Sequence, residues 1–465
     1  MSRYRRTIVP LLGLAACLTA AHANELYFTM PANFGGETDT IFIYGAPGTS
    51  GTVTSPNGFS VPFTIDPSKV ASVSLSPGDD LSTSGTITNN GFIVATTNPS
   101  DKVGASYLSR QTATTDTTYL FDSTALGTSY VAAGYQQDIG YPSQLSIVGT
   151  ANGTTVTITP ALAFGSGQAA GTPFSFTIDK GQAVMFTSQD VTGSMINSSS
   201  PIAVFGGNQC ADVPAGAYAC DHLLTALPST DHFTSTAVVP FTVGTEGAGS
   251  AGNLIRVVAA TDGTVVQYNG ATVATLNAGQ FFDFNGGTGG IVTSSSPVEV
   301  MEFLTSQSTH SGTTPGDPAI SWIPGVDQWL SDYIFSTPVG SEAYVNNFLD
   351  IAIHTSDLGS LMLDGSAVPG SDCVALGATS YSTCEIAIAA GSGEILDTNP
   401  FLLLIDGGTT YDSFLTFAGT TFSPGASPPP PPPPPPNTGV PEPATLFLLG
   451  MGLLGVYGAR RQRRS

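Results

Sequence analysis

Two Asp-His pairs and one serine are the residues whose types best suit catalysis. The pairs are Asp221-His222 and Asp231-His232, and the serine lies in Ala248-Gly249-Ser250-Ala251-Gly252. A hydrolase needs a nucleophile, a histidine and a carboxylate in one cleft. Neighbouring residues of a strand point to opposite faces, and the serine segment lacks the first glycine of a nucleophile elbow. We predict that the chain is not an enzyme, and we keep a secreted or periplasmic all-β hydrolase as the alternative.

The histidines and several turn aspartates are the candidate metal ligands. The histidines after residue 23 have no HxH or HExxH spacing, which gives no support for a transition metal: His222, His232, His310, His354. Carboxylates on four turns could offer oxygen ligands to calcium: Asp79-Asp80, Asp262-Gly263, Asp364-Gly365, Asp406-Gly407. None matches a calcium-loop motif. We predict no cofactor, and a calcium-rigidified adhesin is the second alternative.

The cysteines form two local pairs. Cys210 lies near Cys220, and Cys373 lies near Cys384. The fifth cysteine, Cys17, lies in the N-terminal apolar stretch, so four remain in the exported part, and an even number there predicts two disulfides that close short loops. Each such loop contributes about 2–3 kcal/mol in the loop-entropy model.

The N-terminus has the layout of a secretory signal. Three arginines precede the apolar residues 8–21, and Ala21-His22-Ala23 places small residues where signal peptidase cleaves. We predict a signal peptide over residues 1–23 and a mature chain that begins at Asn24. The alternative is a lipoprotein box at Leu14-Ala15-Ala16-Cys17, which would leave Cys17 lipidated. Either alternative exports the chain.

The C-terminus contains a stiff linker and an apolar segment with charged ends. Residues 423–439 form a Pro-rich linker, and the nine prolines of residues 428–436 would extend about 28 Å as a polyproline II spacer. Residues 444–459 are apolar and predict a single short transmembrane helix, inserted transiently in the inner membrane. The residues of the sorting signal that flank it are Val440, Pro441, Glu442, Pro443, Arg460, Arg461, Arg463 and Arg464.

Pro-Glu-Pro, a short apolar helix and an arginine cluster together resemble the PEP-CTERM sorting signal of Gram-negative bacteria, over residues 440–465. This resemblance implies that an exosortase-type processing enzyme removes the tail. It also implies delivery to the cell surface or extracellular matrix.

The part between the two ends is strongly acidic. Residues 24–436 contain 33 acids and five bases, a formal charge of −28. Nucleic acids and anionic lipids are bound by clusters of Lys and Arg, so we predict no nucleic-acid partner.

Short runs of β-branched and aromatic residues, separated by Gly, Asn-Gly and Asp-Gly turns, predict an all-β fold. Four strand-start prolines recur at a period near 100 residues: Pro99, Pro201, Pro297, Pro400. This period predicts tandem β-sandwich modules, with a β-propeller of two blades per unit as the alternative. The expected divisions are 24–129 for an N-terminal module and 130–225, 226–325 and 326–422 for three more.

Residues 198–241 resemble the N-terminal domain of IgGFc-binding proteins, and a looser likeness extends over about 130–400. The likeness rests on the Cys210 and Cys220 pair, on Asp221-His222 and on Pro240-Phe241. It implies an extracellular binding or structural module.

We therefore expect an adhesin-like surface component, associated with exopolysaccharide or biofilm, whose partners are extracellular polysaccharide or surface proteins. Trp322, Trp329 and Tyr333 are candidates for stacking on sugars.

Overall fold

We describe the protein from a computed structural model, in which the described residues are 25–34, 38–76, 78–242, 252–309, 316–409, 411–423 and 425. These residues form strands and short 3-10 helices but no α-helix, which confirms the predicted all-β class. None of them belongs to a helix with the length and apolar character needed to span a bilayer. The predicted signal peptide, most of the Pro-rich linker and the sorting segment lie outside the described residues.

Within the described residues, thirty-one strands form four modules, which we number in chain order. Module 1 (residues 25–119) contains β1 (Glu25–Thr29), β2 (Thr38–Gly45), β3 (Ser50–Thr54), β4 (Ser60–Thr64), β5 (Val70–Ser74), β6 (Gly91–Thr96), β7 (Val103–Gln111) and β8 (Thr114–Tyr119). Module 2 (residues 129–226) contains β9 (Ser129–Val131), β10 (Ser143–Gly149), β11 (Thr154–Thr159), β12 (Phe174–Ile178), β13 (Ala183–Ser188), β14 (Met195–Ser198), β15 (Ile202–Ala211) and β16 (Asp221–Ala226).

Modules 3 and 4 each contain one long strand that takes the place of two. Module 3 (residues 234–322) contains β17 (Thr234–Val239), β18 (Leu254–Ala259), β19 (Thr264–Tyr268), β20 (Ala271–Leu276), β21 (Phe281–Asn285), β22 (Gly290–Leu304) and β23 (Ala319–Trp322). Module 4 (residues 330–417) contains β24 (Leu330–Ser336), β25 (Asn346–His354), β26 (Met362–Leu363), β27 (Ser366–Ala367), β28 (Cys373–Ala375), β29 (Tyr381–Ile388), β30 (Ser392–Gly408) and β31 (Ser413–Phe417).

Seven 3-10 helices connect these strands: Ser123–Ala125, Thr230–His232, Gln307–Thr309, Val326–Gln328, Gly340–Glu342, Thr355–Asp357 and Gly370–Asp372.

All four modules share one strand order. If the eight positions of a module are lettered a to h along the chain, one sheet has the order a-f-c-d and the other e-b-g-h, with antiparallel ladders throughout. The long strands β22 and β30 occupy position f in their first part and position g in their second, and β28 is an extra strand beside position e. The predicted two-sheet modules of about 100 residues are confirmed.

The recurring prolines mark the point where the chain leaves position f and enters position g. Pro99 and Pro201 lie between separate strands, whereas Pro297 and Pro400 lie inside β22 and β30. All four are exposed. Proline donates no backbone hydrogen bond, and it is tolerated here because the chain is changing sheets and needs no ladder bond. The four prolines of the sequence repeat therefore occupy equivalent positions in the topology of the four modules.

The turns of modules 2 and 3 also share their side-chain hydrogen bonds. Thr154 Oγ1 donates to the Ala151 carbonyl, and Thr264 Oγ1 donates to the Thr261 carbonyl, both at 2.7 Å. In the matching segments, Ser199 Oγ accepts from the Thr155 N–H and Ser295 Oγ accepts from the Val265 N–H, both at 2.9 Å. The repeated Asn-Gly-Thr, Asp-Gly-Thr and Ser-Ser-Ser-Pro letters thus specify repeated turn geometry.

The modules form a ring, because the turn before position e of each module packs on the segment before position f of the preceding one. The Gly91 N–H donates to the Gly181 carbonyl at 3.0 Å between modules 1 and 2. Gly193 lies against the Gly279 backbone between modules 2 and 3, and Gly289 lies against Leu376 between modules 3 and 4. The ring closes where Ser392 Oγ of module 4 donates to the Ser68 carbonyl of module 1. The arrangement is that of a four-bladed propeller, not the two blades per unit of the alternative prediction.

Two glycines at positive φ allow a matched test of this packing. Gly193 has φ +86°, and a Cβ there would collide with the Gly279 carbonyl oxygen, whereas Gly167 has φ +100° and open space around it. We expect Gly167→Ala to cost about 1–2 kcal/mol, the penalty for a left-handed alanine. Gly193→Ala should cost roughly 1–3 kcal/mol more, because it also overpacks a junction. Urea unfolding of both variants measures the difference, and equal losses would contradict the described junction.

Candidate functional site at the module junctions

The strands at position h meet around the axis of the ring. β8, β16, β23 and β31 are neighbours in that cyclic order, β8 contacting both β16 and β31. Each is an edge strand of its own sheet, so one side of its backbone lacks a ladder partner. Unpaired buried N–H groups are costly, and side chains must therefore satisfy them.

Asp116 accepts one of these N–H groups from each of the four strands. Its Oδ2 accepts the N–H groups of Leu224 in β16 and Ile320 in β23, at 2.9 and 3.1 Å. Its Oδ1 accepts the N–H groups of Thr117 in β8 and Leu415 in β31, at 2.8 and 3.3 Å. One carboxylate thus holds all four modules. Burial raises the pKa of Asp116, while the four backbone donors act in the opposite direction.

Other polar side chains continue this pattern along the axis. Asp221 accepts the N–H groups of Thr115 in β8 and Ser413 in β31, the second at 3.1 Å. Burial and the nearby carboxyl of Asp412 raise the pKa of Asp317 to about 8. The axis is therefore filled by hydrogen-bonded side chains, several of them acidic.

The five basic residues of the acidic part all form ion pairs, and four of the five join two modules. Lys180 of module 2 contacts Glu25 of module 1 at 2.9 Å. Three more pairs join two modules: Arg256 with Asp190, Arg110 with Asp412, and Lys69 with Glu394. The fifth pair, Lys102 with Asp122, lies beside module 1. Among the described residues, every Lys and Arg side chain therefore has a carboxylate partner. This arrangement agrees with the predicted absence of nucleic-acid contacts but does not test it.

Arg256 is the most deeply buried of these bases, with 1% of its side chain exposed. It forms two 2.8 Å hydrogen bonds with Asp283 in its own module. It also donates to the Gly134 carbonyl at 2.7 Å and to Thr192 Oγ1 at 2.9 Å, both in module 2. Burial alone would lower the pKa of Arg256, but the hydrogen bonds that it donates to Asp283 and the charge of Asp190 raise it. The aromatic ring of Phe281 packs on the guanidinium, with its centroid 4.1 Å from Arg256 Cζ.

Surface grooves occur at equivalent positions on three junctions. The groove between modules 2 and 3 has a volume of about 610 Å³, and that between modules 3 and 4 about 560 Å³. A third groove, of about 520 Å³, lies between modules 4 and 1. At the junction of modules 1 and 2, residues 84–91 pair with the edge of β13, through the Gly85 N–H and the Thr88 N–H. These residues occupy the side of module 2 that faces module 1.

The first groove is lined by several polar side chains. Gln136, Gln137 and Gln189 line it and are exposed, while Asp190 and Thr192 lie at its buried base. Leu162, which is 44% exposed, adds an apolar surface. Gln280 also lines the groove, but its Oε1 already accepts the Asn277 N–H at 2.8 Å. Amides, a carboxylate and a hydroxyl suit a ligand with many hydroxyl groups.

The Asp-His pairs do not form relays. The Asp221 carboxylate binds backbone N–H groups, and His222 Nδ1 lies 3.3 Å from the Gln209 carbonyl oxygen. The His232 ring stacks on Phe422 with centroids 3.6 Å apart, and its Nε2 lies 3.0 Å from the Ala125 carbonyl oxygen. Burial lowers the pKa of His232. Ser250 lies outside the described residues.

The hypothesis that the two tryptophans and Tyr333 stack on sugars is wrong. Trp322, Trp329 and Tyr333 are 0%, 2% and 1% exposed. Trp322 packs edge-on against Phe417 near the axis, with ring centroids 5.2 Å apart. The Tyr333 hydroxyl donates to the Phe401 carbonyl at 2.6 Å. Trp322 is covered by a neighbouring module, whereas Tyr333 belongs to the core of its own module.

Two of the turn aspartates accept backbone hydrogen bonds within their own modules. Asp262 Oδ1 accepts the Ala278 N–H at 2.9 Å, and Asp364 Oδ1 accepts the Glu394 N–H at 3.0 Å. Asp406 is completely buried on β30. Within the described ranges, no three His, Cys, Asp or Glu side chains converge as a metal-binding set.

Both predicted disulfides are present. Cys210 pairs with Cys220, with Cα atoms 5.3 Å apart, and closes the connection from β15 to β16. Cys373 pairs with Cys384 between β28 and β29, with Cα atoms 4.0 Å apart. The first disulfide closes a loop that binds module 3, since the Val213 N–H donates to Ser306 Oγ at 2.8 Å.

The fold and these junctions define a class of protein in which four β modules form one ring around buried polar side chains. A family model for IgGFc binding protein matches residues 116–407, from β8 of module 1 to position g of module 4. The chain belongs to the IgGFc binding protein family. A model of the PEP-CTERM protein-sorting motif matches residues 439–464. This motif implies processing by an exosortase-type system, export through the inner membrane and a cell-surface or extracellular location.

No curated protein matches the chain. Among solved structures, the BSP domain of a biofilm associated protein is 9% identical, over 85% of this chain and 96% of that one, with a TM-score of 0.14. An anti-sigma factor domain-containing protein from Clostridium clariflavum is also 9% identical, over 78% and 96%, with a TM-score of 0.11. Immunoglobulin domains 1–4 of Sidekick-1 are 8% identical, over 86% and 98%, with a TM-score of 0.10. Such low TM-scores support no conclusion about fold or function.

The axial carboxylate can be tested by an isosteric substitution. Asp116→Asn should destabilise the protein by roughly 2–5 kcal/mol, because the amide group would face N–H donors and leave two of them unsatisfied. Asp364→Asn is the matched control, since the exposed Asp364 accepts one backbone N–H and asparagine retains an acceptor. Denaturant unfolding compares the two variants. An Asp116→Asn protein as stable as the control would refute the axial role.

The buried acid Glu302 makes the stability of the protein depend on pH. Burial raises the pKa of Glu302 to about 7, although Asn253 and Thr242 donate hydrogen bonds to its Oε1. The folded protein therefore keeps a proton that the unfolded chain loses above about pH 4.5, so this group's contribution to stability falls as pH rises from 4.5 to 7.

Glu302→Gln retains the acceptor and removes the charge. We expect little change in Tm at pH 4.5 and a higher Tm than wild type at pH 8.5, on the order of 2–3 kcal/mol in unfolding free energy. Asp262→Asn, an exposed acid of the same module, should change neither value. Calorimetry at both pH values decides, and equal effects of Glu302→Gln at the two pH values would exclude a raised pKa.

Proposed function

We propose that this protein is a binding or structural component of the cell surface or extracellular matrix, which an exosortase-type system sorts, and that it associates with extracellular polysaccharide or with surface proteins. The sorting motif at residues 439–464 is the observation that carries the proposal. The linker of residues 428–436 would hold the ring away from the membrane until the tail is removed. The ring is then the part that meets a partner.

A binding role rather than a catalytic one is supported by the use of the candidate catalytic groups. Asp221 is committed to backbone N–H groups at the axis, and His222 and His232 lie against backbone carbonyls. A general base needs a free nitrogen within reach of a substrate, in a cleft open to it. None of the described residues that line the grooves at the module junctions is a histidine.

The charge distribution favours neutral partners. The described bases are paired, and acids outnumber them across the exported part of the chain. An anionic polymer would meet repulsion without a compensating cation. A neutral polysaccharide would meet none, and its many hydroxyl groups match polar grooves. The rigid ring would display several such grooves at once, so weak contacts at each would add through effective concentration.

The sorting proposal is tested by expression with and without the processing enzyme. Cells are fractionated, and the mature C-terminus is identified by mass spectrometry. We expect removal of the tail near Pro441-Glu442-Pro443 and an extracellular or surface-bound product only when the enzyme is present. The matched control replaces Pro441 and Pro443 by alanine, which should leave the full-length chain in the inner membrane. A wild-type chain that stays intact there with the enzyme present would overturn the proposal.

A further inference from the structure

The groove between modules 2 and 3 differs from an ordinary surface cleft in its exposed amides. Gln136, Gln137 and Gln189 line it, and their side chains make no hydrogen bond within the described part of the chain. Their backbones are fixed, since the Gln137 N–H donates to the Gln189 carbonyl at 2.6 Å. Each amide presents both a donor and an acceptor, the combination that a pair of sugar hydroxyls requires.

The base of the groove is held in place before any ligand arrives. Asp190 Oδ1 accepts the Thr192 N–H at 2.9 Å, and Arg256 donates to Thr192 Oγ1 at 2.9 Å. Arg256 is itself fixed by Asp283 in module 3. A preorganised set of polar groups loses little conformational entropy on binding. Because Arg256 is buried and paired with carboxylates, it gives the groove no accessible positive charge.

The groove also has apolar surface for the carbon-bound faces of a sugar ring. Leu162 is exposed beside it, and Leu276 and Phe281 line its other side from module 3. Small-ligand sites commonly combine such apolar walls with a few convergent polar groups. A volume of about 610 Å³ accommodates a short stretch of a chain polymer, and the groove is open to the surface.

From these observations we propose that the groove between modules 2 and 3 binds a segment of a neutral polysaccharide, through the amides of Gln136, Gln137 and Gln189. This proposal rests on the proposed function as a matrix component and assigns it a site. Module 2 contributes the amides and Leu162, and module 3 contributes Leu276 and Phe281. A bound segment therefore spans the junction and stabilises the ring against opening, so that binding raises Tm.

The test uses the full exported chain and soluble polysaccharides of defined charge. The neutral probes are dextran and galactomannan, and the anionic probe is alginate. The test variant carries Gln136→Ala, Gln137→Ala and Gln189→Ala, and the control is Gln267→Ala, a glutamine of module 3 outside this groove. Affinity is measured by calorimetry, and Tm is measured with and without polysaccharide.

We expect wild type and control to bind a neutral probe, and their Tm to rise on binding. The triple variant should bind at least ten-fold more weakly, while its Tm without polysaccharide equals that of wild type. If the triple variant binds as wild type does, the groove is not the site, while association with polysaccharide stands. If wild type binds neither neutral probe, or binds alginate alone, the neutral-polysaccharide site is refuted. Surface location in the sorting experiment then decides separately whether the proposed function survives.

Discussion

Four edge strands buried at one axis create the constraint on which this structure depends. A β-sheet normally leaves its edges in water or covers them with another strand. Here the position-h strands face one another, and side chains satisfy their free N–H groups; the Asp116 carboxylate accepts one such group from each of β8, β16, β23 and β31. Because a single side chain serves all four modules, no module can leave the ring without exposing buried donors. The ring is thereby made one unit rather than four domains on a string.

The few basic residues, like the axial carboxylate, connect modules. In a chain with so few Lys and Arg residues, four of the five described bases lie at module junctions. Arg256 joins modules 2 and 3 and also fixes the base of the groove between them. Buried ion pairs add little net stability compared with apolar packing, but removing one partner is costly. Their positions therefore favour specificity of assembly, and they leave an acidic exterior suited to an exported protein.

Much of the fold was predictable because it is encoded locally. Pro201 and Pro297, with the serines before them, mark equivalent changes of sheet, and the Asn152-Gly153 and Asp262-Gly263 turns share their hydrogen bonds. Turn chemistry acts over a few residues, so a repeat in the letters becomes a repeat in the structure. The disulfides were predictable for the same reason, since each closes about ten residues.

The ring and the candidate site were less predictable because they depend on contacts distant in sequence. Asp116 stands in a Thr-rich strand, and nothing in its neighbours distinguishes it from a surface aspartate. Asp221 looked like half of a catalytic pair and serves the axis instead. Trp322 looked available for sugars and is covered by the other modules. In the sequence, Arg256 is distinguished only by the small number of basic residues around it. The groove glutamines lie on separate turns of module 2, and no local sequence motif connects those turns.

Hydrogen exchange at the axis tests the central claim, that Asp116 and the four position-h strands make the ring one cooperative unit. Exchange of the Leu224, Ile320 and Leu415 amides and of the β8 amides would be followed by mass spectrometry of peptides that cover each strand. The account predicts that all four strands exchange with one common opening free energy, equal to that of global unfolding. If any one module exchanges its axial strand at a clearly lower free energy than the other three, the modules open independently and the account is contradicted.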